Sequence, residues 1–417
     1  MRVLVQCQQI APGFSCGVEN FTFGLLNALA EADESTRFEV AIPRGTRTAW
    51  VEQVPERQNL AFREVAATAS LIGISRWGQR HPLIAAGRRA LRSSELLRRG
   101  VRPLRLRIEH RAVRDFKPDV TYYPFHLVDA GAANAVVTVH DFRSHMPDFE
   151  NELERSLVAR NIDLADAAVT SWLHPFVQLD EFYPEASQKA FMIPFPPMIP
   201  SLARAGNSTV GDDGPPLLIY PASTARHKNH LALIEAVARL LPHRPVRLVC
   251  TGTKVAPWYQ EAAARAEELG ISDHVQFAGF VPAEEVARLY EQAAMVVVPS
   301  LWEAASGAVF EAFHYGKPVA CSDIPPIRTQ VEFADGEVRF FDPHDPDAIA
   351  SAIEDILATP ETYRAGSERA RRRLETLSWR RTAAEYLQVF EWVASGRRTP
   401  PPIILSSQML EAAGVGE

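Results

Sequence analysis

The sequence predicts an α/β protein built from two doubly wound domains, each a parallel sheet covered by helices. Three observations lead there. Short strands rich in β-branched residues alternate with helical stretches of about 10–15 residues, the signature of parallel βαβ units. The alternation restarts at Leu217. Between the two runs lies PFPPMIPSLARAGNSTVGDDGPP (Pro194–Pro216), rich in proline, glycine and small polar residues as a linker is.

The elements follow in order. RVLVQ is a buried strand, and VENFTFGLLNALAEA carries apolar residues at helical spacing. FEVAIP, DVTYYP and AVVTVHD are further strands. After Leu217 come strand LLIYPA, helix HLALIEAVARLL, strand VRLVCTG, helix WYQEAAARAEELG, strand VQFAG, helix AEEVARLYEQA and strand MVVVPS. A chain of 417 residues also exceeds what one core serves. The expected division is residues 1–200, a linker at 201–216, residues 217–380, and a helix and tail at 381–417 that can cross back to the first domain. Two such sheets facing across a cleft would place their ligands at the carboxyl ends of the strands.

Apolar residues make up 47% and charged residues 23%, an ordinary globular profile. MRVLVQCQQ enters a strand directly, without the apolar core of a signal peptide. No apolar run approaches the ~18 residues that span a bilayer. Cys7, Cys16, Cys250 and Cys321 are scattered and form no C-x-x-C pair, which points to free thiols, a cytoplasmic setting and no metal site. The net charge of −7 is uneven: between Arg76 and Arg114 twelve Arg face two Glu, a local +10 that leaves −17 for the rest. Such a block is either a solvated helical surface or a patch for anionic lipid head groups or an acidic acceptor. Its few aromatics argue against nucleic acid.

Four strand-end loops are candidates for chemistry. Gly13 and Gly17 precede the first helix, either as a plain turn or as a loop that lets backbone approach an anion; no G-x-G-x-x-G fingerprint accompanies them. His140 and Asp141 end VVTVHD, as a capping pair or as an acid, base or hydroxyl partner. Arg226, His227 and Lys228 precede a helix, as a surface turn or as cations for a departing diphosphate. The last loop is PSLWEAASGAVFEAFHYGKPVACSD, with Glu303 in the loop and Glu311 one turn or so inside a helix from about Ala308 to His314. Backbone N–H groups at Ser306 and Gly307 would be free for an anion.

These residues together resemble the retaining glycosyltransferases of the family-4 type, which adopt the GT-B fold of two Rossmann-like domains. The resemblance rests on Pro299, Ser300, Glu303, Glu311, Ala312, Gly316, Pro318, Val319, Ser322 and Asp323, with support from GVENF, VVTVHD, HKNH and FFDPHDPDAIASAI. It is strongest from Leu217 to about Leu357. It implies a nucleotide-sugar donor bound mainly by the second domain, a glycan or lipid-linked acceptor, cytoplasmic transfer with retention, and no metal or other cofactor. Lys228, with Arg226, would bind the diphosphate, Glu303 the transferred sugar and Glu311 the ribose. The amides from Ser306 through Gly307, Ala308 and Val309 would hold the phosphates. Gly17 and Gly252 would join the donor site, and His140 would contact the sugar from the opposite wall. Two departures stand out. The family's arginine lies several positions earlier, where this chain has Ala222 and Ser223, and Ala304-Ala305 replace the usual glycine and bulky residue.

The chemistry asks for cations and amides that stabilise a leaving diphosphate. The D-x-D run Asp345-Pro346-Asp347 fits a helix cap better than a metal site. Peripheral contact with an anionic membrane through 76–114 is a further expectation. Two other readings share the fold: a sugar phosphorylase or nucleotide-sugar epimerase, and an inactive subunit that binds a partner.

Overall fold

The structure is a computed structural model that describes residues 1–10, 12, 17–65, 116–125, 128, 132, 134–197 and 214–398. The Arg-rich segment 76–114, residues 201–213 of the expected linker and the tail beyond 398 lie outside them. The chain divides into two compact units. Unit 1 comprises Met1–Ser171, Pro175–Phe195 and the chain from Ser378; unit 2 comprises Trp172–His174 and Pro196–Leu377. The divisions thus fall at 195/196 and 377/378, a few residues before the expected 200/201 and 380/381.

Unit 1 carries β1 (Arg2–Gln6), α1 (Gly17–Ala32), β2 (Arg37–Pro43), α2 (Arg47–Gln53), β3 (Leu60–Val65), β4 (Val120–Tyr123), β5 (Ala135–Thr138), α3 (Glu152–Leu164), β6 (Ala167–Thr170), β7 (Ala190–Met192) and, from Pro175 onward, α4 (Leu173–Phe182). Its sheet runs in the order β3-β2-β1-β4-β5-β6-β7 and every pairing is parallel. Strand β5 is buried at all four residues, as parallel strands covered on both faces must be.

The last helix completes this unit. In chain order it is α12 (Trp379–Ala394), and its N-cap Ser378 accepts the Arg381 amide. Phe195 stacks on Trp379, centroids 5.7 Å apart. Tyr386 is fully buried, and its hydroxyl and that of Tyr122 each lie 2.8 Å from Thr138 Oγ1. Thr382 Oγ1 donates to the Pro194 carbonyl at 2.9 Å. Helix α1 meets α12 closely at Gly24, where a Cβ would lie 2.2 Å from the Trp379 ring. Only a residue without a side chain fits there.

Unit 2 repeats the design with β8 (Leu217–Pro221), α5 (His230–Leu240), β9 (Arg247–Thr251), α6 (Trp258–Glu268), β10 (Val275–Gly279), α7 (Ala283–Gln292), β11 (Met295–Val298), α8 (Gly307–His314), β12 (Val319–Ser322), α9 (Pro325–Ala334), β13 (Arg339–Phe341), α10 (Pro346–Ala358) and α11 (Pro360–Leu374). Its sheet order is β10-β9-β8-β11-β12-β13, again parallel throughout. The strand Met295–Val298 is wholly inaccessible and lies at the centre of the unit's core. The order of connection reverses between β8 and β11, so their C-terminal ends open the crevice where doubly wound sheets take ligands. Asp345 caps α10 by accepting the Asp347 amide at 2.9 Å, so this D-x-D run serves as a helix start. Among the described residues no helix is long and apolar enough to cross a membrane.

Candidate active site

The switch point is built from two loops that the chain separates by some seventy residues. After β8 the backbone makes a 3₁₀ turn at Arg226–Lys228 and reaches Asn229, which takes the left-handed conformation (φ 55°, ψ 40°). Its side chain reaches across the strand ends, donating to the Pro299 carbonyl at 3.0 Å and the Pro343 carbonyl at 2.7 Å. The Leu301 amide donates to the His227 carbonyl at 2.7 Å. These bonds stitch the loop after β8 to the loop after β11.

Held this way, Lys228 Nζ lies 2.5 Å from Glu303 Oε1. The pair is largely buried, with side-chain exposures of 19% and 7%. Burying two charges is costly unless further hydrogen bonds support them. Here Ser300 Oγ donates to the same Glu303 oxygen at 2.6 Å. Tyr220 Oη in turn stands 2.8 Å from Ser300 Oγ and 3.1 Å from the Lys228 carbonyl. The Ser300 proton goes to the carboxylate, so the one Tyr220 proton is shared between Ser300 Oγ and the Lys228 carbonyl, which can only accept. Burial raises the Tyr220 pKa well above its ordinary value, and the Glu303 charge adds to the effect. Tyr220 therefore remains a neutral donor.

Glu311 lies in α8, where Tyr290 of α7 donates to Oε2 at 2.7 Å. The Tyr290 ring is itself stacked on Tyr315 at 4.9 Å. Burial pushes the Glu311 carboxyl above the usual carboxylate range, and the Tyr290 bond opposes that shift. Its other oxygen lies 3.6 Å from where a Gly307 Cβ would stand, beside the first turn of the helix.

At the start of α8 one expectation is corrected. The Ser306 amide is not free: it donates to Gln330 Oε1 at 2.7 Å, while Gln330 Nε2 donates to the Ser306 carbonyl at 2.7 Å. The amides of Gly307, Ala308 and Val309 form the first helical turn, where no intrahelical acceptor exists. Phe310 is the first residue to bond back into the helix, to the Ser306 carbonyl.

The remaining predicted residues have the following surroundings within their own units. Gly252 (φ +101°) is required by packing, since a Cβ would lie 2.7 Å from the Ala222 carbonyl carbon and 2.8 Å from the Ser223 nitrogen. It lets the β8 and β9 loops approach. Arg226 is exposed on the 3₁₀ turn. Gly17 is the exposed first residue of α1 in unit 1, while Gly13 and Cys16 lie outside the described residues. His140, two residues beyond β5, bonds the Pro124 carbonyl through Nε2 at 2.8 Å, so that nitrogen carries the proton. Its ring meets Phe21 edge-on at 5.0 Å. Asp141 accepts the Arg143 amide at 3.1 Å and so caps the following turn.

Tyr220, Asn229, Tyr290 and Gln330 were not singled out from the sequence. Gln330 had one usable signal, because it falls three residues after Ile327 and four before Ala334 on the buried face of α9. His230 was missed too. It is 4% exposed, against Tyr220, and neither ring nitrogen has a hydrogen-bond partner among the described residues. Burial first, and the Lys228 charge second, lower its pKa to about 3.

This site lies within a stretch with known relatives. Residues 207–373 match the family described as glycosyl transferases group 1. That match covers 167 of the 417 residues, and the two parallel-sheet α/β units have the GT-B fold. One relative is the MMP α-(1→4)-mannosyltransferase of Mycolicibacterium hassiacum, 35% identical over 161 residues, which are 38% of each chain. The chain therefore spans about two fifths of the length of the curated relatives it matches. Among solved structures, the sucrose-phosphate synthase of Thermosynechococcus elongatus superposes with TM-score 0.72 at 17% identity, covering 95% of this chain and 100% of that one. An Anabaena protein solved in complex with UDP and glucose gives TM-score 0.66 at 15% identity, covering 94% and 99%.

Proposed function

We propose that this protein is a retaining glycosyltransferase that moves a sugar from a nucleotide-sugar donor to a glycan or lipid-linked acceptor, in cell-surface polysaccharide or glycolipid synthesis. The carrying observation is the buried Lys228–Glu303 pair at the switch point of unit 2, three residues before the cap of α8. The relatives' transferase names and the UDP and glucose bound to the Anabaena protein support the same reading.

The residues divide the work by chemistry. Lys228 and the first-turn amides of α8 take the diphosphate, whose charge grows as the anomeric C–O bond breaks and its electrons pass to the phosphate oxygen. The acceptor oxygen forms the new bond to the anomeric carbon, and its proton passes to the departing diphosphate, whose oxygen has taken up the electrons of the broken bond. Glu303 accepts hydrogen bonds from hydroxyls of the transferred sugar, and Glu311 from the ribose. Without ligand, Lys228 and Glu303 satisfy each other; a donor replaces that pair by offering phosphate to one and hydroxyls to the other. In this scheme fixed cationic and amide groups carry the leaving charge, so transfer proceeds without a metal and persists in EDTA.

A thermal-shift panel of nucleotide sugars tests the donor assignment, because a ligand of the folded state stabilises it as RT ln(1 + [L]/Kd). One member should raise the unfolding midpoint, and Lys228→Ala should abolish the rise. With that donor, Lys228→Ala and Glu303→Gln should each lose on the order of 10²-fold in turnover while remaining folded. Wild-type turnover in either variant, or no stabilising nucleotide sugar, refutes the reading.

A further inference from the structure

Gln330 is 4% exposed on α9, among the buried Ile327, Val331 and Ala334. A carboxamide there needs a purpose, because an unpaired polar group in such a place is costly. Its purpose is visible in two bonds to a single residue. Oε1 accepts the Ser306 amide and Nε2 donates to the Ser306 carbonyl, both at 2.7 Å. The side chain thus acts on Ser306 as a neighbouring strand would, holding it extended at φ −88°, ψ 115°. Ser306 is the N-cap of α8, and its own side chain makes no capping bond. The cap geometry therefore relies on a helix that begins nineteen residues later in the chain.

We propose that Gln330 is a positioning residue for the diphosphate of the donor. By clamping both peptide groups of Ser306 it aims the Gly307, Ala308 and Val309 amides and fixes the C-terminal end of the loop that carries Glu303. This inference rests on the reading of α8 as the diphosphate site. It gives the phosphate contact a dependence on α9 that the loop residues alone do not have.

The test measures the affinity of UDP, GDP and ADP, and of uridine, guanosine and adenosine, by titration calorimetry. Two variants are compared with the wild type. Gln330→Met removes both hydrogen bonds at similar volume. It should weaken the preferred nucleoside diphosphate about tenfold, as misaimed first-turn amides require, and leave the matching nucleoside unchanged. Gln330→Glu has a built-in switch. Ionised, it cannot donate to the Ser306 carbonyl; protonated, it again offers one donor and one acceptor. Its diphosphate affinity, taken relative to wild type at each pH, should recover as the pH falls through the carboxylate range.

Equal diphosphate affinity in wild type and Gln330→Met overturns the proposal. So does a parallel loss of diphosphate and nucleoside, which marks a merely structural role. Absence of acid recovery in Gln330→Glu overturns it as well, and this arm carries the test if the methionine variant does not fold. If the wild type binds none of the three diphosphates, the donor reading itself has failed instead.

Discussion

His230 offers a prediction whose size can be worked out from the structure. The imidazole is buried against Tyr220 and beside the positive charge of Lys228, so its pKa falls from the ordinary 6.5 to about 3. Between those values the unfolded chain holds a proton that the folded chain lacks. Stability must then fall as the pH drops below 6.5 and continue falling to about 3, with each pH unit costing about 1.4 kcal/mol. From about pH 7 to about pH 5 the loss from this one group is roughly 2 kcal/mol. His230→Leu has no titrating group, so its unfolding free energy from urea titration should decline by about 2 kcal/mol less over that interval. At neutral pH the variant should be as stable as the wild type or more so, because it removes two ring nitrogens that lack partners. An unchanged pH slope in His230→Leu would refute the argument and place a proton acceptor near the ring.

Two further outcomes are expected. Gly24→Ala pushes a methyl group into the Trp379 ring and should destabilise the protein by about 1–3 kcal/mol; Trp379→Leu in the same chain should recover part of the loss in a double-mutant cycle. If 76–114 meets an anionic membrane, the protein should float with anionic vesicles at low salt and release at high salt, and charge reversal at Arg88, Arg89 and Arg92 should weaken binding. Absence of vesicle association at low salt leaves that segment as a solvated surface.

Much of the site was legible because its chemistry is local. Lys228 follows a strand end and precedes a helix, and Glu303 and Glu311 flank a small-residue turn, so residue type and spacing point to them before any folding. The amides of Gly307, Ala308 and Val309 were legible for the same reason, since a helix start exposes them whatever surrounds it. The packing need for glycine at 252 was not legible, because it arises from the Ala222 backbone, a neighbour thirty residues away in sequence. The Ser306 amide was misread likewise, because its acceptor is a side chain on another helix.

The order of strands and helices, the break before Leu217 and the identity of the charged loop residues are written in the chain itself. They depend on short-range periodicity and on what each residue can do chemically. Folding alone decided that Lys228 and Glu303 neutralise each other, that Tyr220 and Ser300 orient the carboxylate, that Tyr290 holds Glu311, and that Gln330 sets the cap of α8. It also decided that α12 completes the first unit, through a bare α1 backbone at Gly24. The physical reason is common to all of these. A hydrogen bond or a van der Waals contact acts over a few ångströms, and no linear pattern records which distant side chains a twisted parallel sheet will bring within that range.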